Sequence, residues 1–337
     1  MANDLVHQWQ LSAVGRQNLR YVETTQRPLG PRQVRVRVEA ASLNYRDLLM
    51  VENRYGMAPA ALPFTPGSDM AGTVLEVGTE VARWRGGERV ISTFVAGWLD
   101  GAIPPEASTL GGPGPGMLAS QVVLDAQWLA AAPSTLNAAA ASTLPCAALT
   151  AWTGLVENGR LRAGQTVLIH GTGGVALFGL QLARLHGAQA IVVSGDAGKR
   201  SQALKLGARH VLERASDWPS AVLALTEGRG ADHVLETVGG ANLGRSLQAL
   251  AGGGRVALIG LLDGAELAAS GFDLMLRRAV VQGVSVGHRQ ALEHLVRAVD
   301  VNALQPVIAA EYPAQELPAA FDHLARGPFG KVVLTFQ

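Results

Sequence analysis

The stretch Thr166-Val-Leu-Ile-His-Gly-Thr-Gly-Gly-Val-Ala-Leu-Phe-Gly179 narrows the possible folds more than any other part of the chain. Residues 166–169 are β-branched or aliphatic, the composition of a strand buried on both faces of a parallel sheet. A glycine cluster follows, and apolar residues then recur at helical spacing through Leu177, Leu180, Leu182 and Leu185. The glycines therefore sit at a strand-to-helix turn, where Gly171-x-Gly173-x-x-Ala176 fits the dinucleotide fingerprint with alanine in its third place. Gly171 allows the tight turn, Gly173 lets a pyrophosphate approach the backbone, and Ala176 allows close packing of the helix. The cofactor loop is thus expected at Gly171, Thr172, Gly173, Gly174 and Val175, with backbone N–H groups and the helix dipole facing an anion.

The rest of the chain falls into three parts on either side of this stretch. Up to about residue 132 it reads as mostly β, with strands predicted at 33–39, 71–78, 88–92 and 121–124. A Gly/Pro-rich loop spans 93–120, long enough to be functional or mobile. Residues 138–156 read as an Ala-rich helix broken at Pro145. Strands and helices then alternate: strands at 190–194, 210–213, 233–237, 255–260 and 280–286, and helices at 199–206, 218–225 and 243–250. That alternation specifies a doubly wound parallel sheet. A helix over 291–299 and a strand over 331–336 close the chain, the latter expected to rejoin the N-terminal β domain. The expected domains are 1–147 and 287–337 for the β part and 148–286 for the dinucleotide-binding part, with a cleft beside the insertion.

Composition excludes several classes. With 48% apolar and 16% charged residues the chain is compact rather than disordered. A formal net charge of +1 without a Lys/Arg cluster gives no reason to expect nucleic acid. The segment Met1-Ala-Asn-Asp-Leu-Val-His7 lacks the pattern of a secretory signal. The Ala-rich segment is interrupted by Pro145 and hydroxyl residues, so a buried helix is expected there and no membrane partner. A single cysteine, Cys146, fits a reducing cytoplasmic setting.

Several motifs together resemble the medium-chain dehydrogenase/reductase superfamily over essentially the whole length. They are Pro63-Phe-Thr-Pro-Gly-Ser-Asp-Met-Ala-Gly-Thr-Val-Leu-Glu-Val-Gly78, Gly87-Glu-Arg-Val90, the glycine loop, and Phe329-Gly-Lys331. Glu88 stands where aspartate is usual. Ser42-Leu-Asn-Tyr-Arg-Asp47 and Leu144-Pro-Cys-Ala-Ala-Leu-Thr-Ala-Trp152 are similar to the zinc-independent alcohol dehydrogenase and quinone oxidoreductase branch. The resemblance implies a Rossmann sheet inserted in a mostly β, GroES-like catalytic domain, an NAD(P)-dependent oxidoreductase activity, and a homodimer paired through the nucleotide sheets near residues 280–286. Thr150, Val284 and Val286 match positions lining the nicotinamide, and Lys331 matches a basic position contacting the pyrophosphate. Gly260, at the end of its strand, is placed with the cofactor residues.

Zinc-dependent relatives take catalytic ligands at the positions held here by Asn44, Ser68 and Cys146. An amide and a hydroxyl are poor substitutes for thiolate and imidazole, and the 93–120 loop holds no cysteine for a structural zinc, so no metal is expected. Cys146 reads most simply as a small buried residue. For the cofactor, an acidic residue at the end of the second strand favours NAD. That position is Ser194, with Lys199 and Arg200 following, so NADP is preferred; Asp196, two residues on, argues the other way.

Without a metal, hydride transfer to a conjugated carbonyl is favoured, because charge spreads beyond one oxygen and weaker donors suffice. Asn44 is the candidate amide donor, Tyr45 the candidate proton donor, and Asp47 a residue that orients them. Structural alternatives stand beside these: Tyr45 as a core aromatic and Arg46–Asp47 as an ion pair. Trp98 and Met117 are read as pocket lining or ordinary packing, and His288 as a residue near the cleft. The expected function is reduction of a small, mostly apolar carbonyl, enone or quinone, or oxidation of an alcohol. Zinc-type alcohol dehydrogenase activity and a non-catalytic NADPH-binding sensor are the rivals.

Overall fold

The computed structural model of the protein describes residues 5–55 and 62–336; residues 1–4 of the N-terminal segment discussed above lie outside them. It divides into two compact units, Met1–Leu149 with Gly287–Gln337, and Thr150–Val286.

In the first unit a seven-stranded sheet runs in the order Ile308–Pro313, Lys331–Thr335, Gln33–Leu43, Asp69–Val77, Arg89–Ser92, Leu129–Ala131, with Gln121–Asp125 also paired to Gln33–Leu43. The Val/Arg alternation that predicts a half-buried strand at 33–39 continues to Leu43, and Val34, Val36 and Val38 all face the core. Arg35 departs from the alternation: it is buried, and its Nε donates to Glu76 at 3.2 Å. The C-terminal strand lies antiparallel on the same central strand, Val332 opposite Leu43. An antiparallel hairpin, Leu5–Leu11 with Leu19–Thr25, adds Trp9 and Leu11 to the core; its polar interleaving hid it from the sequence reading. Helices Tyr45–Val51 and Leu317–Ala325 and the strand Ile308–Pro313 were likewise not foreseen.

The second unit is a six-stranded, all-parallel sheet in the order His210–Glu213, Gln189–Ser194, Thr166–His170, Ala231–Glu236, Leu250–Leu258, Val280–Gly283. The order reverses beside Thr166–His170, which makes the carboxyl end of that strand the switch point where such sheets bind ligands. All five residues of the strand are buried, as its unbroken apolar run requires.

The break expected at Pro145 is local: the helix Ala138–Ala141 ends in a turn at Ser142 and Thr143, and helical structure resumes with π turns at Leu144–Ala148 and Thr153–Glu157 around Leu149–Trp152. Pro145 stands in the first turn of the second segment, where its missing N–H leaves no intrahelical bond unmade. The run Ala138–Glu157 is long and apolar enough to cross a membrane, but most of it is buried in the protein itself. Two other expectations need correction. The helix predicted to reach residue 250 ends at Gln248, and Leu250 instead opens a strand. The final strand of the sheet stops at Gly283 rather than continuing to Val286, whose φ of 59° is left-handed and incompatible with a strand.

Candidate active site and dinucleotide cradle

In the parallel-sheet unit, Gly171 leaves the strand with φ of 85°, and its N–H donates to Val193 O at 2.8 Å. Thr172 is buried beside it. Gly173 caps the helix Gly174–Leu185 without any side-chain cap, so the first N–H groups, including those of Gly174 and Val175, lack intrahelical partners. A Cβ added at Gly173 meets nothing within 4 Å, so the space beside this backbone is open. A twelve-residue helix with uncapped donors and a bare cradle fits a diphosphate. The closest approach of helix to sheet lies one turn further on than the sequence suggested: a Cβ at Gly179 would stand 2.2 Å from Leu235 Cδ1.

The other residues expected around the cofactor divide by environment. Ser194 is buried, and its carbonyl accepts Arg200 Nη1 at 2.8 Å and the Arg214 N–H at 3.4 Å. The Asp196 carboxylate accepts the Lys199 N–H at 2.8 Å, serving as a helix cap. Arg214 was missed: its guanidinium lies 3.7 Å from the Cβ position of Gly195, which places a second arginine at the end of the second strand. It follows the third strand, so reading onward from the second alone could not find it. Gly260 has a packing reason to be glycine, since a Cβ there would lie 2.2 Å from Thr237 O. Thr150 is buried, Val284 donates its N–H to Leu258 O at 2.9 Å, and Val286 is a buried β-branched residue held at positive φ. Such backbone strain is concentrated at functional sites.

A fully buried Glu236 stabilises the strand ends of this unit. It accepts the N–H groups of Val238 and Gly239, Asn242 Nδ2 and Ser246 Oγ at 2.8, 3.2, 2.8 and 2.5 Å. His170 sits 3.6 Å away, and its burial holds the imidazole pKa below the usual range despite that carboxylate.

In the β unit, a buried polar cluster gathers around the start of the helix Tyr45–Val51. Asn44 donates its backbone N–H to Asp47 Oδ2 at 2.8 Å and its Nδ2 to Ser68 Oγ at 3.3 Å. Ser68 Oγ donates to Asp69 Oδ1 at 2.6 Å, and the Cys146 N–H donates to Asp69 Oδ2 at 3.1 Å. Ser42 Oγ donates to Ser142 O at 2.9 Å beside them. Lys331 Nζ completes the cluster with bonds to Leu43 O at 2.6 Å and Asn44 Oδ1 at 2.5 Å. Burial pushes the Asp47 carboxyl up to about 6, an effect that Arg46, the Asn44 N–H and Lys331 only partly oppose. Burial also raises Asp69, against Lys331 and its hydrogen bonds.

Lys331, which the resemblance associates with the pyrophosphate, is 4% exposed, and its ammonium is tied to two acceptors inside the unit. Tyr45 is 42% exposed, which removes the core-aromatic alternative. Arg46 lies 3.9 Å from Asp47 but directs its guanidinium elsewhere, to Leu110 O, Thr109 Oγ1 and Gly112 O, pinning the Gly/Pro-rich loop to this helix. Met117 is fully buried packing. His288 caps the helix Arg289–Asn302, its Nδ1 accepting the Ala291 N–H at 3.0 Å; Trp98 stacks edge-on against it at 5.7 Å.

The three positions that carry zinc ligands in relatives do meet in this cluster, but as a neutral amide, a hydroxyl and a thiol. Burial and the Asp69 charge push the Cys146 thiol up, away from the thiolate a metal needs. Among the described residues no group of three His, Cys, Asp or Glu side chains is arranged to hold a metal.

A doubly wound sheet with a glycine cradle, joined in one chain to a GroES-like β unit, defines an oxidoreductase that uses a nicotinamide cofactor. The family model described as the alcohol dehydrogenase GroES-like domain matches residues 30–134, and that of the zinc-binding dehydrogenases matches residues 174–300. A zinc-type alcohol dehydrogenase-like protein of Schizosaccharomyces pombe is 36% identical over 91% of this chain and 91% of its own length. The quinone oxidoreductase of Rattus norvegicus is 28% identical over 90% of this chain and 88% of its own. A crystal structure of an alcohol dehydrogenase candidate from Sinorhizobium meliloti 1021 is 51% identical, with a TM-score of 0.96 and 100% coverage of both chains. The chain belongs to the medium-chain dehydrogenase/reductase superfamily.

Proposed function

We propose that the protein is an NADP(H)-dependent, metal-free oxidoreductase that reduces a small conjugated carbonyl, an enone or a quinone. The observation that carries this reading is the Asn44–Ser68–Lys331 cluster, a hydrogen-bonded amide, hydroxyl and ammonium standing where a metal would need thiolate and imidazole, with the Asn44 amide as the donor. The likeness to a quinone oxidoreductase supports it.

The cradle of Gly171, Thr172, Gly173, Gly174 and Val175 would hold the pyrophosphate on backbone N–H groups. Ser194, Arg200 and Arg214 would take a ribose 2′-phosphate: a hydroxyl and two guanidiniums favour a dianion there, and Asp196 is engaged as a cap. When bound, the reduced nicotinamide supplies a hydride. The substrate's oxygen then gains the displaced electron pair, Asn44 Nδ2 donates a hydrogen bond to it, and a proton from Tyr45 or solvent completes the product. Asp47 holds the Asn44 backbone.

We also infer a homodimer. The strand Val280–Gly283 is the open edge of its sheet, and the adjoining helix Gly271–Leu276 leaves Phe272, Met275 and Leu276 largely exposed, a patch suited to a second copy. Sedimentation should give twice the chain mass, and Leu276→Asp should shift it to the monomer. A reducing cytoplasmic setting fits the lone Cys146.

The test is NADPH oxidation with a panel of quinones, enones, aldehydes and alcohols, together with metal analysis. Turnover of enones or quinones by protein with far less than one zinc per chain is expected. Stoichiometric zinc lost together with activity would refute the metal-free reading, and tight NADPH binding without any turnover would favour a sensor.

A further inference from the structure

We infer that Lys331 is a positioning residue: its buried ammonium fixes the Asn44 amide with Oδ1 on the lysine and Nδ2 left to donate, and strengthens that donor toward the oxygen of a conjugated carbonyl. This rests on the proposed reading of Asn44 as the group that meets the substrate oxygen.

The argument begins with hydrogen-bond polarity. An ammonium has only donors, so the atom of Asn44 that it meets at 2.5 Å must be the amide oxygen. The assignment is confirmed from the other side. Ser68 Oγ gives its single proton to Asp69 Oδ1 at 2.6 Å, so toward Asn44 it can only accept, and it meets Nδ2 at 3.3 Å. Ammonium and carboxylate thus bracket one amide from opposite ends, and every bond along the line runs in the same sense. Flipping the amide would set the NH2 group against the ammonium and the carbonyl against a serine with no proton to give.

Nδ2 meets Ser68 Oγ at 3.3 Å, a long contact, and the Asn44 side chain also bears on the Asp69 carboxylate, so a substrate oxygen would take this donor over from the Ser68–Asp69 pair. A cation on the amide oxygen draws electron density from nitrogen, so the Nδ2 hydrogens are better donors than an ordinary asparagine provides. The amide cannot surrender the hydrogen, however. It can stabilise negative charge on a substrate oxygen but cannot protonate it, which suits charge shared over a conjugated system. Lys331 reaches this place because its strand pairs with Gln33–Leu43, so that its side chain lies under Leu43 and Asn44.

The probe is p-dimethylaminocinnamaldehyde, a conjugated aldehyde whose absorption moves to the red when its oxygen is polarised, bound to the full-length protein with oxidised NADP. A red shift is expected for the wild type. Lys331→Met should abolish the shift and lower kcat by about tenfold or more, while KM and NADPH affinity change by less than about twofold. Lys331→Arg should restore part of both. Because Lys331→Met leaves buried carboxylates without their cation and can fail to fold, Asn44→Asp provides a near-isosteric second arm. It keeps a partner for Lys331 but has no hydrogen to donate, so it should bind NADPH normally, lose the red shift and lose turnover. A wild-type red shift and kcat left intact by Lys331→Met, or by Asn44→Asp, overturn the inference while the reductase reading stands. A loss confined to NADPH affinity overturns it too, in favour of a pyrophosphate role. No turnover by the wild type on the whole panel overturns both.

Discussion

Lys331 Nζ lies 2.5 Å from Asn44 Oδ1 although 287 residues separate them in the chain. The contact exists only because the C-terminal strand Lys331–Thr335 lies antiparallel on Gln33–Leu43. The candidate catalytic cluster is therefore a product of long-range sheet closure and not of any local motif. Its charges also come from separate segments: Asp47 from the helix Tyr45–Val51, Asp69 from the start of its own strand, and Lys331 from the last. Each depends on the others to be tolerable when buried.

Asp47 gives the cluster a pH signature. Its carboxyl is raised from an ordinary 3.8 to about 6, chiefly by burial. Between those values the folded state holds the proton that the unfolded chain releases, so stability from this group increases as pH falls through about 6 and levels off near 4. Above about 6 both states are ionised and the cost of the buried charge is constant. Asp47→Asn removes this dependence while keeping an acceptor for the Asn44 N–H. Relative to wild type, the variant should therefore be most favourable at neutral pH and lose on the order of 2 kcal/mol of that advantage on acidification. Urea denaturation of both proteins at neutral and mildly acidic pH measures the difference; a gap that stays constant with pH contradicts the assignment.

Two glycines of the cofactor segment separate binding from packing. Gly173 has ordinary backbone angles and open space around its Cβ position. Gly173→Ala should leave stability within about 1 kcal/mol, since only a cap preference changes, yet weaken dinucleotide binding by about tenfold or more through a methyl in the cradle. Gly179→Ala is the converse. Its methyl would meet Leu235 Cδ1 at 2.2 Å, so it should cost about 1–3 kcal/mol by overpacking. Thermal shift with and without NADPH reads both effects, and equal behaviour of the two variants would show that Gly173 is only a turn residue.

The glycine segment was legible in the sequence because strand, turn and helix are contiguous there, and each small residue answers a local demand. The parallel sheet was legible for the same reason: each βα unit declares itself within a few tens of residues. The cluster at Asn44 was visible only as candidates. Nothing near Lys331 in the chain indicates that its ammonium is buried against Leu43 O, and resemblance assigned it a different partner. Arg214 was equally silent, since its proximity to Gly195 arises from the parallel pairing of Gln189–Ser194 with His210–Glu213 across the helix between them. The hairpin Leu5–Leu11 with Leu19–Thr25 escaped because only some of its residues face the core, so no strong period marks it. Pro145 was legible as the place where its helix is interrupted, whereas the π form of the turns that follow leaves no mark in the sequence.

The proposed cofactor preference rests on Ser194, Arg200 and Arg214. Ser194→Asp would place a carboxylate where a 2′-phosphate is proposed to sit, so NADPH affinity should fall by about tenfold or more while NADH affinity holds or improves. Arg214→Met should weaken NADPH selectively, by a smaller factor, with stability nearly unchanged because the side chain is exposed. Fluorescence titration with each dinucleotide gives both ratios. If neither substitution alters the NADPH-to-NADH ratio, the 2′-phosphate assignment fails and NAD becomes the better reading.

Arg46 is expected to act on the loop rather than on catalysis. Its guanidinium donates to Leu110 O at 2.8 Å and Thr109 Oγ1 at 2.7 Å, and also to Gly112 O, while lying 5.1 Å over the Phe94 ring. The geometry needs a planar fork: one nitrogen serves Leu110 O and the other serves Thr109 and Gly112 together. A lysine offers one point charge and cannot span both. Arg46→Met keeps the apolar stem but leaves buried carbonyls without donors, which should cost about 3 kcal/mol. Arg46→Lys should recover less than half of that. Both variants should be cut faster by chymotrypsin within residues 93–120, at Phe94, Trp98 or Leu110, a local opening that precedes global unfolding. Equal urea midpoints and unchanged cleavage would mean that the loop is held by its own packing, through Leu110, Met117 and Leu118, and that the arginine merely fills the space between.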